Sequence, residues 1–320
     1  MPCIWYVSGI QAHGNFLARP HRHELDLAFR DGRHTNEGRN TMASKKEKSH
    51  ADDPKNATLV DDGPELLTDT QDHVCVMTIN RPSRMNSFTP TLMTALSEGF
   101  IEANMNPDVR AVIVTGTGDR AFCAGQDLKL SREADEAGKP YRYFMTTINR
   151  FIYEIILETY KPTIAAMNGA AVAGGFELAV ACDMRIAAEH IVMGLPEAKR
   201  GRGAHFSTIM LPRIIPRAIA LEMLFRGDYI TPAEGYRCGL LNRVVPKGKA
   251  LESALEMAHA IAKNAPVTVR RMKETAVKSS GMPLAAAMRL DEGINPYLAE
   301  DRMEGTRSFL EKREPRWKGR

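Results

Sequence analysis

The stretch NGAAVAGGFELAVACD, residues 168–183, decides the architecture. It begins where the apolar run TIAAMNGA should end a buried strand, passes through the paired glycines Gly174 and Gly175, and continues with a helical pattern to Cys182. Glycines just before a helix let main-chain N–H groups face a ligand, and the helix N-terminus adds about half a positive charge. The same glycines would equally serve tight packing of a helix on a strand. Glu177 follows Gly174 by three residues, on the side of the turn's N–H groups. A carboxylate there either complements the helix dipole or performs chemistry.

Working outward, the pattern of strand, small-residue turn and helix repeats. HVCVMTIN (73–80) is apolar on both faces and stops at Arg81-Pro82, which predicts a strand buried on two sides. Thr89-Pro90 with Leu92, Leu96 and Phe100 predicts a capped helix. AVIVTG (111–116) is a second buried strand and runs into AFCAGQDLK (121–129), a small-residue turn without a nucleophile. SREADEAGKPYRY is a variable charged segment, and FMTTINRFIYEIILETY predicts a further helix. MRIAA and NRVVP supply short strands, and the last sixty or so residues are mostly helical, with Leu251, Leu255, Ala258 and Ala262 on one stripe and Pro266 opening the next helix. An α/β core with a helical C-terminal segment follows.

GTGDRA (116–121) matches a relaxed dinucleotide fingerprint after a strand, but no helical period opens behind it, so a nicotinamide site is not expected. Composition narrows the class further. With 43 basic and 39 acidic residues the net charge of +4 is too mild to make nucleic acid the main partner. Five widely spaced cysteines read as reduced core residues of an intracellular, cytoplasmic protein, without disulfides or a zinc site. No run approaches eighteen consecutive apolar residues, so no membrane association is expected. Residues 1–65 are polar and aperiodic, hold five of the nine histidines, and read as a disordered tail; Met42 is an alternative start.

AFCAGQDLK, NGAAVAGGFELAVACDMRIA, LPEAKRG and the closing EGTRSFLEKREPRWKGR together resemble, in order and spacing, the crotonase (enoyl-CoA hydratase/isomerase) superfamily from about Val74 to Arg320. The resemblance implies a crotonase (ClpP-like) spiral of ββα units, here residues 66–255, followed by a helical segment, 256–320, that builds trimers, often paired as hexamers. It implies an enoyl-CoA hydratase, a lyase of fatty acid β-oxidation that needs no separate cofactor and takes coenzyme A thioesters as substrate. In the family, the N–H groups matching Gln126 and Gly174 form an oxyanion hole for the thioester carbonyl, and two glutamates matching Glu177 and Glu197 manage the protons. Coenzyme A contacts carry over to Arg84, Met85, Ala124, Gln126, Asp127, Leu128 and Lys129, with Phe309 and Lys312 lent by a neighbouring subunit. Asp127 and Asp183 read better as a helix cap and a turn anchor.

The match loosens after Glu197. Where many hydratases have a glycine-rich run, this chain has KRGRGAHFSTIMLPRIIP, so Arg202 and His205 put polar bulk near the acyl pocket; His205 reads as a helix-start residue with a backbone partner or as a catalytic group. GGFELA, LPEAK and EKREPRWKGR resemble the carnitinyl-CoA dehydratase branch, whose quaternary ammonium would want an aromatic cage; Tyr143 and Phe144 are candidates. Carnitinyl-CoA dehydration and double-bond isomerisation are therefore rivals on the same hole. A non-catalytic RNA-binding role is a further one, which the glutamate pair opposes.

Overall fold

A computed structural model describes residues 62–139 and 150–320. Most of the expected tail, and both Tyr143 and Phe144, lie outside the described residues. Residues 62–65, expected in the tail, are instead fastened to the fold. Asn80 Nδ2 donates to the Asp62 and Pro64 carbonyls, and Arg81 pairs with Glu65 at 3.0 Å.

Strand β1 (Leu66–Gln71) pairs antiparallel with β2 (Val74–Ile79), the strand expected at 73–80. Helix α1 (Pro90–Met105) follows, and Thr89 Oγ1 accepts the Leu92 N–H as its cap. Leu92, Leu96, Phe100 and Ala103 turn its buried face to the sheet. The chain continues through β3 (Ala111–Gly116), β4 (Ala121–Cys123), α2 (Leu128–Glu136), α3 (Ile152–Leu157), β5 (Thr163–Met167), β6 (Ala170–Val172), α4 (Gly174–Ala181), β7 (Met184–Ala188) and β8 (Met193–Gly194). Gly116 and Gly118 lead into β4, a strand, and not into the helix a dinucleotide site requires.

With β9 (Tyr229–Ile230) and β10 (Arg243–Val245), the described residues form two sheets, one of six strands in the order β1-β2-β3-β5-β7-β10 and one of four in the order β4-β6-β8-β9. Odd strands β3, β5 and β7 enter the large sheet, and the even strands that follow each of them enter the small one. From β2 to β10 the large sheet is parallel throughout, as are β4, β6 and β8 in the small sheet. The chain therefore advances as a spiral of ββα turns.

Beyond β8 come α5 (His205–Ile214), α6 (Arg217–Arg226), β9 (Tyr229–Ile230), α7 (Pro232–Arg237) and β10 (Arg243–Val245). The C-terminal segment holds α8 (Ala250–Ala262), α9 (Pro266–Lys278), α10 (Leu284–Ala287) and α11 (Asp301–Glu311). Helix α8 runs unbroken through residue 255, where the spiral was expected to end.

Strands buried on both faces explain the near-continuous apolar runs. On one face Ala111, Ile113, Ile164, Ala166 and Ile186 pack against α8. On the other, Met77, Ile79, Val112 and Val114 join Leu92, Leu96, Phe100 and Phe176. The buried seam of α8 is Ala250, Ala254, Ala258 and Ala262, while Leu251 and Leu255 flank it half-buried. Alanines let the helix axis approach the sheet closely, so leucines are displaced to the sides. Asp183 accepts from Thr163 N and Oγ1 at 2.7 and 2.9 Å and from Lys273 Nζ at 2.8 Å, the turn anchor expected of it. The described cysteines are free thiols, with Cys75, Cys123 and Cys182 buried.

Candidate active site

Strands β4 and β6 are parallel neighbours, so the turns that leave their C-terminal ends emerge side by side. The first turn is Ala124, Gly125 and Gln126. The second is Ala173 and Gly174. They are in contact: a Cβ on Gly125 would stand 3.0 Å from Gly174 N, Val172 O and Ala173 Cβ, and φ of +82° there requires glycine in any case. Gly175 is still more confined, since a Cβ would lie 2.0 Å from the Cys123 carbonyl oxygen. Two glycines thus let the end of β4 press against the start of α4.

Neighbouring main chain holds the first turn in place. Phe88 N donates to Gly125 O at 2.8 Å, Asp127 N to Phe88 O at 3.1 Å, and Ala124 N to Met85 O at 3.1 Å. Among the described residues, no acceptor takes the N–H of Gln126 or that of Gly174. Neighbouring amides are bonded, Ala173 N donating to Gly194 O at 2.9 Å and Asp127 N to Phe88 O. Ala173 carries a φ of 54° and ψ of −131°, a conformation that costs a non-glycine residue about 1–3 kcal/mol and is retained where the surroundings over-determine it.

Glu177, in the first turn of α4, is 6% exposed, and its Oε1 accepts the Ser207 N–H from α5 at 2.8 Å. Glu197 lies in the short 3₁₀ turn Pro196–Arg200 and is 8% exposed. Burial pushes the Glu177 carboxyl up to about 7, opposed by the Ser207 N–H and reinforced by the charge of Glu197. Burial likewise raises Glu197, against its own backbone hydrogen bond and Arg200. Among the described residues, Glu197 Oε2 and Ser207 Oγ are buried and without a hydrogen-bond partner. Buried polar atoms left without a protein partner are suited to bonding a small polar molecule.

Three supporting residues carry no sequence signal strong enough to single them out. Tyr153, 2% exposed on α3, donates its phenol to Gly174 O at 2.8 Å, and burial raises its ionisation well above the ordinary value. Fully buried Asn86 takes a φ of 53°, accepts the Arg81 N–H and donates to Ala121 O at 2.7 Å. Asn168 binds the end of β3, accepting from Gly116 N at 3.0 Å and donating to Gly116 O at 2.7 Å. An asparagine beside a strand end is the only hint the sequence offers for the last two, because its amide can replace main-chain partners.

Of the residues carried over for coenzyme A, Arg84, Met85, Ala124, Gln126, Leu128 and Lys129 gather around the first turn, with Leu128 and Lys129 exposed. Asp127 is committed elsewhere: Oδ1 caps α2 through the Lys129 and Leu130 N–H groups, and Oδ2 pairs with Arg81 at 3.3 Å. Phe309, 82% exposed, and Lys312 stand at the end of α11 and share no hydrogen bond or ion pair with those loops among the described residues. His205 is the first residue of α5.

The profile of the enoyl-CoA hydratase/isomerase family matches residues 69–320. The chain belongs to that family. Enoyl-CoA hydratase EchA19 of Mycobacterium tuberculosis is 35% identical over 268 residues, covering 82% of this chain and 99% of that one. Carnitinyl-CoA dehydratase of Salmonella typhimurium is 36% identical over 251 residues, covering 76% of this chain and 94% of the relative. A crystal structure of an enoyl-CoA hydratase from Mycobacterium tuberculosis superposes with a TM-score of 0.72 at 32% identity, covering 81% of this chain and all of that one. Members of the enoyl-CoA hydratase/isomerase family act on coenzyme A thioesters without a separate cofactor, and the ββα spiral with its C-terminal helices is their fold.

Proposed function

We propose that this protein is a hydratase that adds water reversibly to trans-2-enoyl-CoA, giving 3-hydroxyacyl-CoA. The observation that supports the reading is the contact between the turns of Gly125 and Gly174, whose Gln126 and Gly174 N–H groups take no acceptor among the described residues, together with the burial of Glu177 and Glu197. Attack on an α,β-unsaturated thioester drives negative charge onto the thioester oxygen. Two fixed amides stabilise that oxyanion without reorganising, each worth roughly 2.7–4 kcal/mol in comparable sites.

Proton transfer falls to the carboxyl pair. One glutamate, as carboxylate, takes a proton from water while the water oxygen bonds to C3. The other, as carboxylic acid, delivers its proton to C2 as the enolate collapses. The pair ends with its protonation states exchanged, and reversal gives dehydration. Raised ionisation of both groups suits this, since one must stay protonated near neutrality. General acid or base action contributes about 10²–10⁴ in rate per group.

Coenzyme A would lie along Arg84, Met85 and Lys129. Exposed apolar side chains on the C-terminal segment, Leu284, Met288, Tyr297, Leu298, Phe309 and Leu310, support its use as an oligomerisation surface, in a trimer or a pair of trimers that delivers Phe309 and Lys312 to a neighbour's site. The buried free thiols fit a reducing compartment such as the cytoplasm, and fatty acid β-oxidation is the matching process.

Loss of the conjugated-thioester absorbance of crotonyl-CoA tests the reading. Wild type should turn it over, and Glu177→Gln and Glu197→Gln should each lose at least about a hundredfold in kcat. Turnover that survives both substitutions would refute the assignment. Identity to carnitinyl-CoA dehydratase makes crotonobetainyl-CoA the substrate to run beside it.

A further inference from the structure

Arg202 leaves the 3₁₀ turn of Glu197, its N–H donating to Glu197 O at 3.0 Å. Its guanidinium reaches across the site, where Nη1 donates to Gln126 Oε1 at 3.1 Å and Nη2 to Ser131 Oγ at 3.3 Å. Both acceptors are neutral, and no carboxylate lies within ion-pair distance of it among the described residues, although Glu133 and Asp135 share α2 with Ser131. Among the described residues, the fork is therefore oriented by two hydrogen bonds to neutral groups and by no ion pair. Arg202 itself is exposed to solvent. One neighbour is the side chain of the residue whose amide serves the oxyanion hole, and the other end of its own turn is a catalytic glutamate.

We propose that Arg202 is a specificity-determining residue that receives a carboxylate on the acyl chain, so that the preferred substrates are enoyl-CoA thioesters carrying a second, anionic group. The proposal rests on the hydratase reading above and deepens it. A guanidinium presents paired donors that match a carboxylate, and such charge-assisted bonds are about twice as strong as neutral ones. Gln126 and Ser131 can yield their weaker bonds to the incoming anion or keep one each while a free N–H engages it. The same cation repels a trimethylammonium group, so a carnitinyl substrate is disfavoured. The loop of Arg84 and Met85 meets the oxyanion turn through the main chain of Ala124, whereas Arg202 meets it through the Gln126 side chain.

Unreactive thioesters test it without relying on turnover. Calorimetry would compare glutaryl-CoA and adipyl-CoA with valeryl-CoA and hexanoyl-CoA on the full-length protein, for wild type, Arg202→Gln and Arg202→Lys. Wild type should bind at least one carboxylate-bearing ligand about tenfold or more tighter than its uncharged partner; Arg202→Gln should abolish that ratio, and Arg202→Lys should keep part of it. Equal binding of both classes by wild type, or a ratio unchanged in Arg202→Gln, would overturn the assignment. So would an equal loss of affinity for all four ligands, which marks a coenzyme A phosphate contact instead. Crotonyl-CoA hydration without a carboxylate preference defeats this proposal alone; a preference with no hydration of either crotonyl-CoA or the carboxylate-bearing glutaconyl-CoA defeats the hydratase reading alone.

Discussion

Replacing Glu177 by glutamine should make the protein more stable at pH 8 while removing its activity. In the fold the carboxyl titrates at about 7, against an ordinary value of 4.5, because burial disfavours the charged form. A group whose folded pKa is raised in this direction binds its proton more tightly folded than unfolded. Its contribution is therefore neutral below about 4.5, stability falls as pH rises from 4.5 to about 7, and above that the deficit is complete. At about 1.36 kcal/mol per tenfold change, the deficit at pH 8 is about 3 kcal/mol. Glutamine imitates the protonated acid: it is uncharged, and its oxygen can keep the Ser207 N–H. Urea unfolding followed by far-ultraviolet circular dichroism, at one fixed protein concentration because association shifts the midpoint, measures the difference from pH 4.5 to pH 8. The gain should approach about 3 kcal/mol at pH 8 and vanish near pH 4.5. In a Glu197→Gln background it should shrink, because part of the lift comes from that neighbour's charge. A Glu177→Gln protein no more stable than wild type at pH 8 would show that the carboxylate is not in a costly site, and the proton-transfer argument would fall with it.

The adjacent glycines should respond differently to alanine. At Gly174 the new methyl would meet Tyr153 Oη at 3.1 Å and Phe88 Cε2 at 3.3 Å, side-chain atoms able to give way, so Gly174→Ala should fold yet lose about tenfold or more in kcat/KM on crotonyl-CoA as the thioester is pushed from the amide. Gly175→Ala sets a methyl 2.0 Å from main chain and should lower stability by at least about 3 kcal/mol, read from the same urea curves. Asn86→Ala orphans the Ala121 and Thr117 carbonyls and the Arg81 N–H and leaves alanine at a φ of 53°; a loss of about 2–3 kcal/mol is expected, and an unchanged urea midpoint would contradict the role given to that amide.

The spiral and the turns that carry the candidate chemistry were legible because each depends on a local pattern. Buried parallel strands read as unbroken apolar runs, and Gly174 with Gly175 before a helix reads as a turn that needs missing side chains. Strand β1 was not legible, since LLTDTQ is an edge strand with five of six residues exposed and owes its conformation to pairing with β2. Helix α2 hid in a charged segment that buries no side chain and is set by the Asp127 cap. Residues 62–65 likewise have polar composition but are recruited by Asn80 and Arg81, contacts that no window of sequence contains. Tyr153 looked like an ordinary core aromatic of α3; only the proximity of Gly174, 21 residues onward, gives its hydroxyl a task.

Because the unbonded donors at Gln126 and Gly174 belong to the peptide chain itself, of all substitutions only one to proline deletes either donor. Glu177, Glu197 and Arg202 are each a single base change from another amino acid. Descent with modification would thus alter which bond is made, and on what acyl group, long before it erased the capacity to polarise a thioester, leaving the electrophile's activation as the inherited constant.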